Sequence, residues 1–137
     1  MFRLVFLMLM SAYGKAAVRA AKACQVNPVA GPRAAWEDAV QVCLPTESTR
    51  KKGCPRSTFL GLCQAGLVKG VPAREYTRSA KNGRYGERAV ALLREDASWA
   101  DKAPDLWRAV MAGEEKKANS QMGVVIGLWR AGLIVEG

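Results

Sequence analysis

One sequence unit occurs twice in this 137-residue chain, and that duplication constrains its fold more than any other feature. Tyr13-Gly14-Lys15-Ala16-Ala17-Val18 returns 72 positions later as Tyr85-Gly86-Glu87-Arg88-Ala89-Val90. Trp36 returns as Trp107. Gly61-Leu62-Cys63-Gln64-Ala65-Gly66-Leu67-Val68 returns as Gly127-Leu128-Trp129-Arg130-Ala131-Gly132-Leu133-Ile134, identical at five of eight positions. The landmarks keep their order while their offset shrinks from 72 to 66, as one shorter loop in the second copy requires. A solenoid needs about three repeats or more to bury a continuous core. Two copies in one domain's length therefore predict two lobes that share a single core.

The periodicity within each copy is helical. Tyr13, Ala17, Ala20 and Cys24 fall on one face of a helix, and Lys15, Arg19 and Lys22 on the other. Gly31-Pro32 opens a second helix through Trp36, Ala39, Val40 and Cys43, with proline suited to the first turn. Leu44 to Gly53 reads as a polar, basic loop. Cys54-Pro55 opens a third helix carrying Phe59, Leu60, Leu62 and Cys63; Gly66 closes it, with Leu67 placed for a Schellman contact. The second copy repeats the order over residues 81–95, from Pro104, and over 119–131, the last closed by Gly132. The expectation is an all-α domain over 11–137, with repeat one at 13–70 and repeat two at 85–137. Its six helices form two pseudo-twofold-related three-helix repeats, each helix-turn-helix-like. Gly61 and Gly127 interrupt matched helices at a cost of about 1 kcal/mol each against alanine, which predicts a close crossing of the two third helices near the axis.

Residues 1–10 are apolar except for Arg3. A bilayer span needs about 20 apolar residues, and no convincing cleavage site precedes Tyr13. The stretch reads as an over-extended start upstream of Met10 or as an extra element packed on the core. No stable membrane insertion and a cytoplasmic location are the expectation.

Half of the residues are apolar and histidine is absent. The first allows a core without metal or disulfide staples; the second removes histidine-based acid–base and nucleophile chemistry. Cys24, Cys43, Cys54 and Cys63 show no Cys-x-x-Cys spacing, so no metal and no cofactor are expected. Three of them fall on apolar helical faces, where a thiol behaves as a small hydrophobe. Cys54, at a helix start beside Lys51, Lys52 and Arg56, is the one enzymatic candidate, because that setting lowers a thiol's pKa. It lacks a base, and Leu60 stands where a Cys-x5-Arg phosphatase loop needs arginine. No catalytic residue is assigned.

The net charge of +9 is concentrated in one place. Residues 50–94 hold eleven Lys and Arg against two acids, whereas the last third is net acidic. A localised basic surface suits nucleic acid, a phosphorylated ligand or an acidic protein, although a merely solvated cationic face produces the same pattern. The copies differ most before the third helix: Arg50-Lys51-Lys52-Gly53-Cys54-Pro55-Arg56-Ser57-Thr58 in copy one, the locally neutral Glu114 to Gln121 in copy two. Helix-terminal amides favour an anion there, but the Walker spacing is absent. The third helix and its Gly66-Leu67-Val68 turn also resemble the recognition helix and turn of winged helix-turn-helix proteins. That reading makes Val68 to Thr77 a short wing, with Lys69, Arg74 and Arg78 near phosphates. Candidate nucleic-acid or anion contacts are therefore Arg50, Lys51, Lys52, Arg56, Ser57, Thr58, Lys69, Arg74, Arg78 and Lys81. Ser79 is an N-cap candidate for the helix that follows. The leading expectation is a non-enzymatic binding protein that contacts nucleic acid through residues 50–88. The alternative is a protein-interaction or homodimeric module meeting an acidic partner. Small-molecule phosphate binding and Cys54 chemistry rank lower.

Lys51-Lys52-Gly53-Cys54-Pro55, Phe59-Leu60-Gly61-Leu62-Cys63, Gly66-Leu67-Val68-Lys69-Gly70-Val71-Pro72 and Tyr76-Thr77-Arg78-Ser79-Ala80-Lys81-Asn82 together resemble a small bacterial domain family of unknown function. The likeness runs from Tyr13 to about Leu93 and is most specific between residues 51 and 82. It implies a soluble bacterial protein and supplies neither an activity nor catalytic residues. The Met1 to Leu9 stretch departs from the family pattern.

Overall fold

The chain is folded by helix starts and stops that its own sequence supplies. A computed structural model describes residues 10–137, and the apolar stretch before Met10 lies outside the described residues. Helix α1, Ala12–Val26, starts at Ser11, whose hydroxyl accepts from Gly14 N at 3.0 Å. Helix α2, Gly31–Cys43, begins with proline in its first turn. A four-residue helix, α3 (Glu47–Arg50), follows where the sequence suggested only a loop. Thr46 and Thr49 cap it reciprocally, each hydroxyl accepting from the other's backbone N–H. Helix α4 is Gly53–Gln64 and α5 is Ala80–Glu95. A 3₁₀ turn, Ala97–Asp101, capped by Asp96, precedes α6, Ala103–Met111, and α7, Gln121–Arg130. The fold is all-helical: six longer helices in one compact domain, with no strand among the described residues.

One core serves both copies. The α1 face that enters it is built from small residues, Ala16, Ala17, Ala20 and Ala21, all fully buried. Each copy's tryptophan meets an aromatic partner, Trp36 stacked on Phe59 and Trp107 edge-on to Tyr85, both at 5.4 Å between ring centroids.

The copies interlock. Helix α4 of the first packs on α5 of the second, and α7 of the second packs on α1 of the first. Gly61 lies against the backbone of Gly83, and a Cβ on Gly127 would stand 2.7 Å from Gly14 Cα. This corrects the expectation that the two third helices meet at these glycines. Each glycine opens its helix to the first helix of the other copy.

The turns after α4 and α7 are also matched. Gly66 and Gly132 take φ of 76° and 71°, and Leu67 N and Leu133 N reach back to Leu62 O and Leu128 O at 3.0 and 2.9 Å. These are Schellman turns, which place glycine in the left-handed region. Beyond them the chains bond to each other: Lys69 N to Leu133 O and Val135 N to Leu67 O, both at 2.8 Å, around an antiparallel bridge of Val68 with Ile134. The winged reading of Val68 to Thr77 is thereby corrected. This segment pairs with the end of copy two; Gly70 (φ 80°) sits in a turn closed by Val71 N donating to Val68 O at 3.2 Å, and Pro72 beyond it has no N–H to offer a second strand.

Candidate functional site

The basic surface is organised by a strap, residues 68–79, that joins the copies without regular structure. Four side chains pin it. Gln64 Oε1 accepts from Tyr76 N and Thr77 N at 2.8 and 3.1 Å. Arg33 donates to Tyr76 O at 3.0 Å, the Tyr76 hydroxyl donates to Pro72 O at 2.6 Å, and Gln25 Nε2 donates to Lys69 O at 2.9 Å. Burial raises the Tyr76 phenol above its ordinary value, against the opposing pull of Arg74, so it stays protonated as that donor. Ser79 precedes α5 but makes no side-chain cap; its own N–H is taken by the Thr77 hydroxyl at 3.1 Å.

The ten predicted contacts separate into three groups. Ser57 and Thr58 are buried: Ser57 is 8% exposed, and Thr58, 0% exposed, donates to Cys54 O at 2.8 Å, which takes its hydroxyl off the surface. They are corrected to core residues, for at this point α4 turns its polar-looking first turn toward the helices packed on it. Arg50, Lys51 and Arg56 are on the surface but engaged. Arg50 Nε donates to Leu44 O at 2.9 Å at the end of α2, Lys51 pairs with Glu47 at 2.8 Å, and Arg56 stands 4.0 Å from Glu37. Lys52, Arg74, Arg78 and Lys81 are exposed, with no acid within 4 Å among the described residues, and Lys69 is half-buried on the strap.

Two further cations complete the surface. Arg84 and Arg88 follow Lys81 at intervals of three and four, which puts all three on one exposed stripe of α5. Arg88 is partly engaged, donating to Val110 O at 3.2 Å and lying 3.4 Å from Glu114. Their helical spacing is visible in the sequence. By contrast Asn82, in the same segment, is buried, and its Oδ1 accepts from the fully buried Gln121 at 3.4 Å, tying α5 to α7.

The cysteines offer little chemistry. Burial raises the thiols of Cys24, Cys43 and Cys63, most strongly for Cys63. Cys54 is half-buried in the first turn of α4. Among the described residues no group of three Cys, Asp or Glu side chains is close enough to hold a metal ion.

The family of unknown function DUF6979 matches residues 10–135, nearly the whole chain, and the chain belongs to that family. No curated protein and no solved structure matches it significantly.

Proposed function

We propose that this member of the family is a non-enzymatic binding protein whose basic surface contacts the phosphates of a nucleic acid. The observation that carries the reading is the exposed Lys81–Arg84–Arg88 stripe along one face of α5. Cations held on a rigid helix release condensed counterions when phosphates replace solvent, and this drives association. The residues of α5 best equipped to read or stack on a base, Asn82 and Tyr85, are buried. Contacts should therefore fall on phosphates and be tolerant of sequence. A cytoplasmic bacterial setting agrees with this reading, and none of the described helices is long and apolar enough to cross a membrane.

The rival reading, an acidic protein on the same cations, is separated by competition rather than by salt, because both weaken with ionic strength. Fluorescence anisotropy of labelled duplex DNA and RNA should show binding tighter than about 1 μM at physiological salt, beyond ordinary non-specific association. Lys81→Glu/Arg84→Glu should weaken it at least about tenfold and lower the log–log salt slope by about two. Lys102→Glu, outside the basic strip, should leave it near wild type. Equal binding by all three proteins, or none, retires the reading.

A further inference from the structure

The α1–α2 turn and the strap enclose a cleft of about 270 Å³. Its apolar half is formed by Cys24, Pro28, Val29, Pro32, Val71 and Pro72. Arg33 and Tyr76 also line an adjoining hollow of about 280 Å³, together with Glu75 and Arg78. The two hollows share Arg33 and Tyr76, and the groove they make is lined by three arginines as well as by aliphatic side chains. Glu75 is the one carboxylate among the lining residues, against the three arginines Arg33, Arg74 and Arg78. The aliphatic lining continues onto open surface, since Val26 and Val29 are 86% and 96% exposed. Prolines and the bonds from Gln64, Arg33 and Tyr76 hold the walls in place before any ligand arrives, which lowers the ordering cost of binding.

We propose that this groove docks an acidic linear peptide of a partner protein, with one aliphatic or aromatic side chain in the cleft and carboxylates against Arg74, Arg78 and Arg33. Charge complementarity selects an acidic occupant, and the aliphatic lining selects a side chain over a nucleobase. The cleft's polar side chains besides the Cys24 thiol are Arg33, Arg74 and Tyr76; the arginines donate but cannot accept, so a base edge that also presents donors would be left partly unsatisfied, which is costly. Exposed valines are surface that a protein covers and a polynucleotide does not. The groove's arginines sit on α2 and the strap while the stripe sits on α5, so the two sets of cations can be mutated separately.

The test is a titration of ¹⁵N-labelled protein with the capped peptide Glu-Glu-Leu-Phe-Glu-Glu, followed by amide chemical shifts. Saturable shifts should map to residues 24–33 and 70–78. Arg74→Glu and Val29→Asp, both at exposed side chains, should each weaken binding at least about tenfold, a loss of about 1.4 kcal/mol. Lys81→Glu/Arg84→Glu should keep the peptide while losing nucleic acid, so each contact can fail without the other. The proposal is overturned by no saturable shift up to about 1 mM, the weak end of measurable association. It is overturned equally if a Glu-Glu-Ser-Ser-Glu-Glu peptide binds as well, or if single-stranded oligothymidine occupies the same amides more tightly than the peptide.

Discussion

At Gly61 two residue-scale preferences oppose each other, and distance decides between them. Helix propensity favours alanine by about 1 kcal/mol, but an added methyl would run into the Gly83 backbone, which has no rotamer to move aside. Overpacking against backbone costs roughly 1–3 kcal/mol or more. Gly61→Ala and Gly127→Ala should therefore each lower stability in denaturant titrations by up to about 2 kcal/mol net of that gain. Gly53→Ala, whose methyl would meet only the tip of Arg56 at 3.7 Å, should be neutral or mildly stabilising. Cys63 supports a second prediction at this scale. Burial first, and neighbouring Cys24 second, push its thiol above the ordinary 9.0. The folded chain then keeps a proton that the unfolded chain releases. Its contribution is fully present below pH 9 and declines as pH rises beyond it, by up to about 1.4 kcal/mol per unit. Cys63→Ala should be less stable at pH 7 yet lose less on going to pH 10; an unchanged pH slope would show that the thiol does not carry it.

At the scale of elements, one of the four side chains that hold the strap makes two of its bonds. Gln64 satisfies the amides of Tyr76 and Thr77, and leaving them unpaired costs on the order of 1–3 kcal/mol wherever water cannot replace the lost acceptor. Gln64→Leu should speed hydrogen exchange at those two amides and weaken the peptide groove while leaving the protection of α1 and α7 intact. Uniform loss of protection would place Gln64 in the global core instead. The longer helices were legible in the sequence because proline, serine and glycine mark their ends and apolar residues recur at helical intervals. The short helix α3 and the 3₁₀ turn were not, since four or five residues carry no periodicity; only the Thr46/Thr49 capping pair, and Asp96 before Ala97, could have revealed them. The wing reading failed for a different reason. The bonding partner of Lys69 is Leu133, far along the chain, and local pattern holds no information about such a pair. The cations of the proposed surface are visible in the sequence, whereas the burial of Thr58 is not, because a serine or threonine near a helix start serves equally as surface ligand or as buried donor to the preceding turn.

For the whole molecule, the arrangement of the copies matters more than the structure of either. The sequence pairs Tyr13 with Tyr85, Trp36 with Trp107 and Gly61 with Gly127, but it does not say which copy each helix packs against. The contacts are reciprocal: α4 on α5 and α7 on α1, Gly61 on Gly83 and Gly127 on Gly14, Lys69 to Leu133 and Val135 to Leu67. Such an exchange is what a pseudo-twofold relation would require. It also means that neither copy encloses its own apolar face. Separating the copies would expose the glycine faces of α1 and α4 together with the apolar residues around them, and a segment of about 60 residues rarely buries enough surface to spare any. Residues 10–70 and 80–137, produced separately, should each lack cooperative unfolding and most of the helical circular dichroism, and mixing them should recover part of it. The intact chain should unfold in one transition, coincident by tryptophan fluorescence and circular dichroism. Trp36 is the first copy's single tryptophan while Trp99, Trp107 and Trp129 belong to the second, so two separated fluorescence transitions, one of them removed by Trp36→Phe, would show independent lobes and overturn the interlocked reading.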